Sequence, residues 1–158
     1  MPIPGRGHGA ATVFGSRVFI AAADEKAKTQ SLLCFDRATG KPLWARQVHS
    51  GGFPAKMNKK ASQASLTPAC DGECVFIISL HAGAVHTTAF SLEGKQLWQR
   101  KICDYIVHQG FGTSPAIYKS LVIVTADNKR GGAMCGLDRK TGEVVWKADR
   151  PKFPNYAS

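Results

Sequence analysis

The sequence predicts an all-β fold, a β-propeller of four-stranded antiparallel blades with three blades present and the start of a fourth. Three observations predict it. All three tryptophans fall at the same point of one short motif. Cys34-Phe35-Asp36-Arg37-Ala38-Thr39-Gly40-Lys41-Pro42-Leu43-Trp44 has the form x-x-D-x-x-T-G-x-x-x-W, and Gly136-Leu137-Asp138-Arg139-Lys140-Thr141-Gly142-Glu143-Val144-Val145-Trp146 repeats it. Between them, Ala89 to Trp98 is a copy one residue shorter, lacking the Asp and Thr but keeping Gly94 ahead of Trp98. Second, Val18-Phe19-Ile20, Val75-Phe76-Ile77 and Val122-Ile123-Val124 align at steps of 57 and 47 residues, near the length of a four-stranded propeller blade. Third, the units offer short β-branched runs bounded by Gly, Asp and Ser, where helical repeats would place apolar residues three and four apart over long stretches.

The first unit, about residues 8–48, places strands at Ala11 to Phe14, Arg17 to Ala23, Ser31 to Asp36 and Pro42 to Val48. Gly15-Ser16 separates the first two, and the Ala38-Thr39-Gly40 turn the last two. The second unit, about residues 64–102, gives Leu66 to Cys70, Cys74 to Leu80, Val85 to Ser91 and Lys95 to Ile102, with hairpin glycines in Asp71-Gly72 and Glu93-Gly94. The third, about residues 112–148, gives Thr113 to Ile117, Leu121 to Ala126, Ala133 to Asp138 and Glu143 to Ala148.

The repeated motif has a mechanical meaning. Asp36 and Asp138 end a strand and accept from turn amides, Thr39 and Thr141 support the same bend, and Gly40, Gly94 and Gly142 supply the positive φ that other residues resist. The turn fixes the hairpin register, and a tryptophan then follows at a set distance on the outer strand. A ring burying about 150–250 Å² there contributes up to about 4–6 kcal/mol, an upper bound because the unfolded chain already hides part of that surface.

The pattern ending in Trp44 and Trp146 resembles the tryptophan docking motif of pyrroloquinoline-quinone-like (PQQ-like) propeller repeats, found in quinoprotein alcohol dehydrogenases and in the outer-membrane-protein assembly scaffold lipoprotein. The resemblance covers nearly the whole chain as three units. It implies that Trp44, Trp98 and Trp146 are blade-to-blade staples, that the compartment is the periplasm or cell envelope, and that the partners are other proteins or further blades. Quinoprotein dehydrogenases of this kind carry two adjacent, mutually bonded cysteines beside the cofactor. The chain has no Cys-Cys pair and no match to their calcium ligands or catalytic Asp. The expectation is therefore no cofactor, with PQQ and calcium bound only if further blades supply the site.

Each unit opens on a small-residue stretch, at Gly7 to Ala11, Ser65 to Pro68 and Gly110 to Pro115, and residues 154–158 read as the start of a fourth. Closed propellers need about four to eight blades, so the expectation is a segment of a longer chain, with oligomeric closure the alternative. Met1 to Arg6 lacks the apolar core of a signal peptide. The most apolar run, Cys74 to Leu80, is too short to span a bilayer, so membrane association would need an anchor beyond it.

With 158 residues, 44% of them hydrophobic, the chain can bury a compact core. The net charge of +10 is scattered over loops, with Lys56, Lys59 and Lys60 the one cluster. Without interleaved aromatics or a nucleic-acid motif this reads as a solvated basic loop, and nucleic acid is excluded as a partner. The five cysteines form no zinc pattern. Cys70 and Cys74 stand as a cross-hairpin pair open to disulfide formation, and Cys34, Cys103 and Cys135 read as buried thiols.

His8 and His108 precede first strands, which lie nearest a propeller's channel; Ser62 and Gln109 occupy comparable approach segments. These four are the candidates for a polar binding site at the channel mouth, set against the plainer reading of loop side chains bonded to turn carbonyls. His49, His81 and His86 read as surface residues. Catalytic, cofactor and metal residues are expected to be none, since no Gly-x-Ser-x-Gly is present and the repetition of Asp36 and Asp138 marks them as turn residues. Two functions follow: a noncatalytic scaffold using the long segments His49 to Ala64 and Asp149 to Ser158 as contact loops, or part of a periplasmic PQQ- and calcium-dependent dehydrogenase.

Overall fold

The computed structural model describes residues 3–153, and no helix occurs among them. The strands are β1 (Thr12–Phe14), β2 (Arg17–Asp24), β3 (Thr29–Asp36), β4 (Pro42–Ser50), β5 (Ala69–Cys70), β6 (Cys74–His81), β7 (Ala84–Ser91), β8 (Gln96–Asp104), β9 (Ala116–Tyr118), β10 (Leu121–Ala126), β11 (Gly132–Asp138) and β12 (Val144–Arg150). They form three antiparallel sheets, each a meander of four consecutive strands: β1–β4, β5–β8 and β9–β12. The sequence-expected start of a fourth unit at residues 154–158 lies outside the described residues.

Register makes the three blades equivalent position by position. Val18 pairs with Phe35, Val75 with Phe90 and Val122 with Leu137 on one face. On the other face the cross-strand rows are Phe19–Cys34–Trp44, Phe76–Ala89–Trp98 and Ile123–Gly136–Trp146. Because strand side chains alternate between faces, each blade presents a tryptophan face forward and a Val–Phe/Leu face backward.

The core lies between blades. Phe19, Leu32, Cys34 and Val48 of the first blade pack on Val75, Ile77 and Phe90 of the second. Phe76, Ile78, Val85 and Ala89 of the second pack on Val122, Val124, Cys135 and Leu137 of the third. The backward face of the first blade, with Ala22, Leu33, Phe35, Val18 and Ile20, forms a separate, thinner cluster.

The structure corrects several sequence expectations. β5 and β9 begin three residues later than the pattern suggests, at Ala69 and Ala116. The residues ahead of them bond across blades instead of within one: the amides of His8 and Gly9 donate to the Ala64 carbonyl (3.0 and 3.3 Å), and the Thr67 amide donates to Ser114 Oγ (2.9 Å). β4 and β8 run two residues further than expected, to Ser50 and Asp104. Cys70 and Cys74 are separate thiols, and Cys103 is half-buried where a buried thiol was expected.

Candidate functional site

The seams between blades are built identically. Trp44 lays its indole over Gly94 and donates Nε1–H to the Leu92 carbonyl at 2.9 Å; Trp98 lies over Gly142 and donates to the Arg139 carbonyl at 3.0 Å. A Cβ on either glycine would stand 2.8 or 2.6 Å from the ring, so only glycine admits the indole. The arginine two residues on completes each seam: Arg46 Nε donates to the Gly94 carbonyl at 2.9 Å and Arg100 Nε to the Gly142 carbonyl at 3.0 Å. At the corresponding place after Trp146 stands Ala148.

The motif's turn residues are occupied locally. Asp36 Oδ1 accepts from the Thr39 hydroxyl (2.7 Å) and amide (2.8 Å), and Asp138 Oδ1 accepts from the amides of Lys140 and Thr141 (both 2.9 Å). The Thr39 hydroxyl bond holds the Asp36 carboxyl below its usual range, and the Thr141 and Lys140 amides do the same for Asp138.

The channel-mouth candidates do not converge on one point. Ser62 is buried and shares a hydrogen bond with Ser65 Oγ at 3.0 Å, which removes it from an open site. His8 is exposed, with Nε2 3.5 Å from an Arg6 guanidinium nitrogen. His108 and Gln109 are also exposed, and the Gln109 carbonyl accepts from the Asn58 amide at 2.9 Å. Gln109 lines a hollow of about 280 Å³ with Asn58, Lys60, Ala61 and Phe111.

That hollow is one of three that flank the long connection between β4 and β5. A second, of about 420 Å³, is lined by Glu25, Lys28, Phe53, Met57, Lys59 and Gln63. The third, of about 390 Å³, has Phe53, Lys56, Leu80, Tyr105 and Val107 on its walls. Lys56, Lys59 and Lys60 are exposed on this connection, and Arg6 donates to the Lys60 carbonyl at 3.5 Å. The result is a basic, indented face at the end of the blades opposite the Asp-Thr-Gly turns.

A histidine cluster at the first seam overturns the reading of His49, His81 and His86 as surface residues. His49 lies in β4 and is only 8% exposed. Its ring stacks on His81 (centroids 4.2 Å, 7°) and tilts against His86 (5.2 Å), while Nε2 shares a 2.9 Å hydrogen bond with Ser79 Oγ. Burial, reinforced by His81 and His86, pushes His49 down to about 4. Burial also lowers His86, with His81 and Lys101 adding to it and the Ala84 backbone opposing. Burial thus favours the neutral form of the His49 and His86 rings. No sequence spacing announces the cluster, because His49 and His81 belong to different blades.

All five cysteines are separate thiols, and among the described residues no three His, Cys, Asp or Glu side chains are disposed to hold a metal ion. Nor is any helix among those residues long and apolar enough to cross a membrane.

Repeated meanders joined through tryptophan-on-glycine seams define three consecutive blades of a PQQ-like β-propeller. The chain belongs to the family of outer membrane protein assembly factor BamB, whose family model matches residues 2–148. Among solved structures it is similar to a europium-containing methanol dehydrogenase (18% identity, TM-score 0.63), covering 91% of this chain and 25% of that one. It is similar to BamB from Moraxella catarrhalis at 18% identity and TM-score 0.59, covering 90% of this chain and 38% of the other. The β-propeller domain of the Trilobed protease from Pyrococcus furiosus matches at 10% identity and TM-score 0.51, covering 91% and 43%. The chain thus spans less than half the length of each. Among curated proteins none matches it.

Proposed function

We propose that the chain serves as a noncatalytic scaffold in the cell envelope, binding another protein through its basic, indented face and using no cofactor. The observation that carries this reading is the long β4–β5 connection, which sets exposed Lys56, Lys59 and Lys60 beside three hollows with apolar walls from Phe53, Phe111 and Tyr105. Charged rims around apolar recesses suit a protein partner with an acidic edge and an apolar anchor. Asp36, Asp138, Trp44 and Trp98 of the repeat motif are engaged in turns and seams, and so brace the blades that carry this face. Membership of the BamB family supports a protein partner and an envelope location.

A photo-crosslinking residue placed at Lys59 in envelope-containing cells tests this. One discrete adduct is expected, lost when Lys56, Lys59 and Lys60 of the neighbouring positions are reversed to Glu with the probe moved to Asn58. Titration with PQQ and calcium supplies the opposing arm: saturable binding with a quinone absorbance band would replace the scaffold with a dehydrogenase segment.

A further inference from the structure

The two seams share one register and differ in chemistry at one end. In the second seam the cross-strand pair Val85–Cys103 of the second blade faces the pair Ala126–Ala133 of the third, within or against one apolar cluster. The same positions of the first seam hold Gln30–His49 of the first blade and Ser79–His86 of the second. Gln30–His49 and Val85–Cys103 each lie at the same irregularity in strand pairing, which fixes their equivalence. His81 brings a third imidazole, stacked on His49, where register puts Asn128 in the third blade. Asn128 is satisfied, donating to the carbonyls of Asp104 (3.3 Å) and Gly131 (2.9 Å). His81 Nδ1 and Gln30 Oε1, by contrast, are buried with no hydrogen-bond partner among the described residues. Polar atoms buried in that way weaken the contact that buries them.

The histidine cluster also holds the root of the β4–β5 connection. A Cβ on Gly52 would stand 2.6 Å from the His81 ring, so the chain leaves β4 pressed against that imidazole. The Gly52 carbonyl accepts from the Ala82 amide at 2.9 Å, and the Gly51 amide donates to the Lys28 carbonyl at 2.8 Å. Phe53 then packs against the first-seam core, and exposed Lys56, Lys59 and Lys60 follow on the same connection.

The groups around the rings oppose added positive charge. Gln30 from β3 and Ser79 from β6 bring none, while Lys101 from β8 pairs across from His86 and is bridged to Asp104 at 2.7 Å. Burial, with the neighbouring imidazoles, disfavours the charged forms of His49 and His86. Protons therefore bind more readily once the rings reach water, and falling pH favours parting at this end of the seam.

We propose that the polar end of the first seam is an acid-released latch: protonation of the His49–His81–His86 group parts the blades locally and frees the root of the β4–β5 connection. As a control on binding, this rests on the reading of the basic face as the partner surface; the release itself does not. The tryptophan end of the same seam and the apolar second seam stay closed, so acid loosens the presenting loop while the blades remain folded.

Amide hydrogen exchange of the full chain at about pH 7 and about pH 4.5, corrected for the intrinsic pH dependence of exchange, tests this without any partner. Opening of residues 49–56 and 81–83 should become about fivefold more frequent at the lower pH, with residues 122–126 and 133–137 of the second seam unchanged. The double variant His49→Gln, His86→Gln should exchange alike at both pH values, whereas a purely structural loss would raise exchange and leave its pH response intact. Uniform loosening of both seams, no change at residues 49–56, or a fivefold response surviving in the double variant would overturn the proposal. An acid response in exchange alongside a Lys59 probe that captures no partner would sink the binding reading and leave the latch standing.

Discussion

Trp98 and Trp146 occupy the same register position in consecutive blades and differ in what lies ahead of them. Trp98 has a partner glycine, a carbonyl acceptor, and Phe76 at 5.9 Å beside it; Trp146 has its own sheet behind it, with Gly136 beneath the indole, and is 37% exposed. The motif is therefore not a self-sufficient stabilising unit. Its energy resides in the seam, as in other arrays where neighbour contacts dominate over the intrinsic stability of each repeat.

The sharpest test of that contrast is alanine at both places. Trp98→Ala should cost about 3–5 kcal/mol, the loss expected for a large ring removed from a packed site. Trp146→Ala, measured on dilute monomer, should stay within about 0.5 kcal/mol, as surface changes do. Equal losses in urea denaturation would mean that the ring's value comes from its own blade. The receiving side gives a smaller contrast. Gly142→Ala should cost about 2–4 kcal/mol, combining backbone strain at φ +72° with a Cβ 2.6 Å from the Trp98 ring. Gly40→Ala, with the same kind of backbone but open space, should cost about 1 kcal/mol, the strain alone.

The first seam differs from the second in carrying the histidine cluster, which predicts the smallest effect. His49 titrates near 6.5 when unfolded and is pushed to about 4 when folded. The unfolded state binds more protons between those values, so the stabilisation is complete above about pH 6.5 and falls away as pH drops toward 4. After allowance for partial solvent screening the loss should be about 1 kcal/mol. His49→Gln should flatten that part of the stability–pH curve, as read by thermal melts across the range. Ser79, His81 and His86 face His49, and Lys101 faces His86; a profile unchanged in His49→Gln would transfer the effect to His86.

Much of the architecture was legible because it is local. Asp36, Thr39 and Gly40 dictate a turn by their own chemistry, and the short β-branched runs around Val18 and Val75, bounded by turn residues, read directly as strands. What was not legible depends on placing one blade against the next. The late starts of β5 and β9 arise because Ala64 and Thr67 spend their backbone groups on neighbouring blades. The stacking of His49 on His81 requires a register between sheets that no periodicity encodes. Ser62 looked available in an approach segment, yet its hydroxyl is spent on Ser65. The acceptors of Trp44 and Trp98 are main-chain carbonyls, and their side-chain identities, Leu92 and Arg139, carry no signal.

The arginines that follow Trp44 and Trp98, and the alanine that replaces them after Trp146, grade the joints of any ring these blades enter. Two joints are double-latched by an indole and a guanidinium; a joint made at Trp146 would have the indole alone. Under tension, or during exchange of one ring segment for another, parting should begin at that single latch. A single residue, Ala148, would set that line of opening.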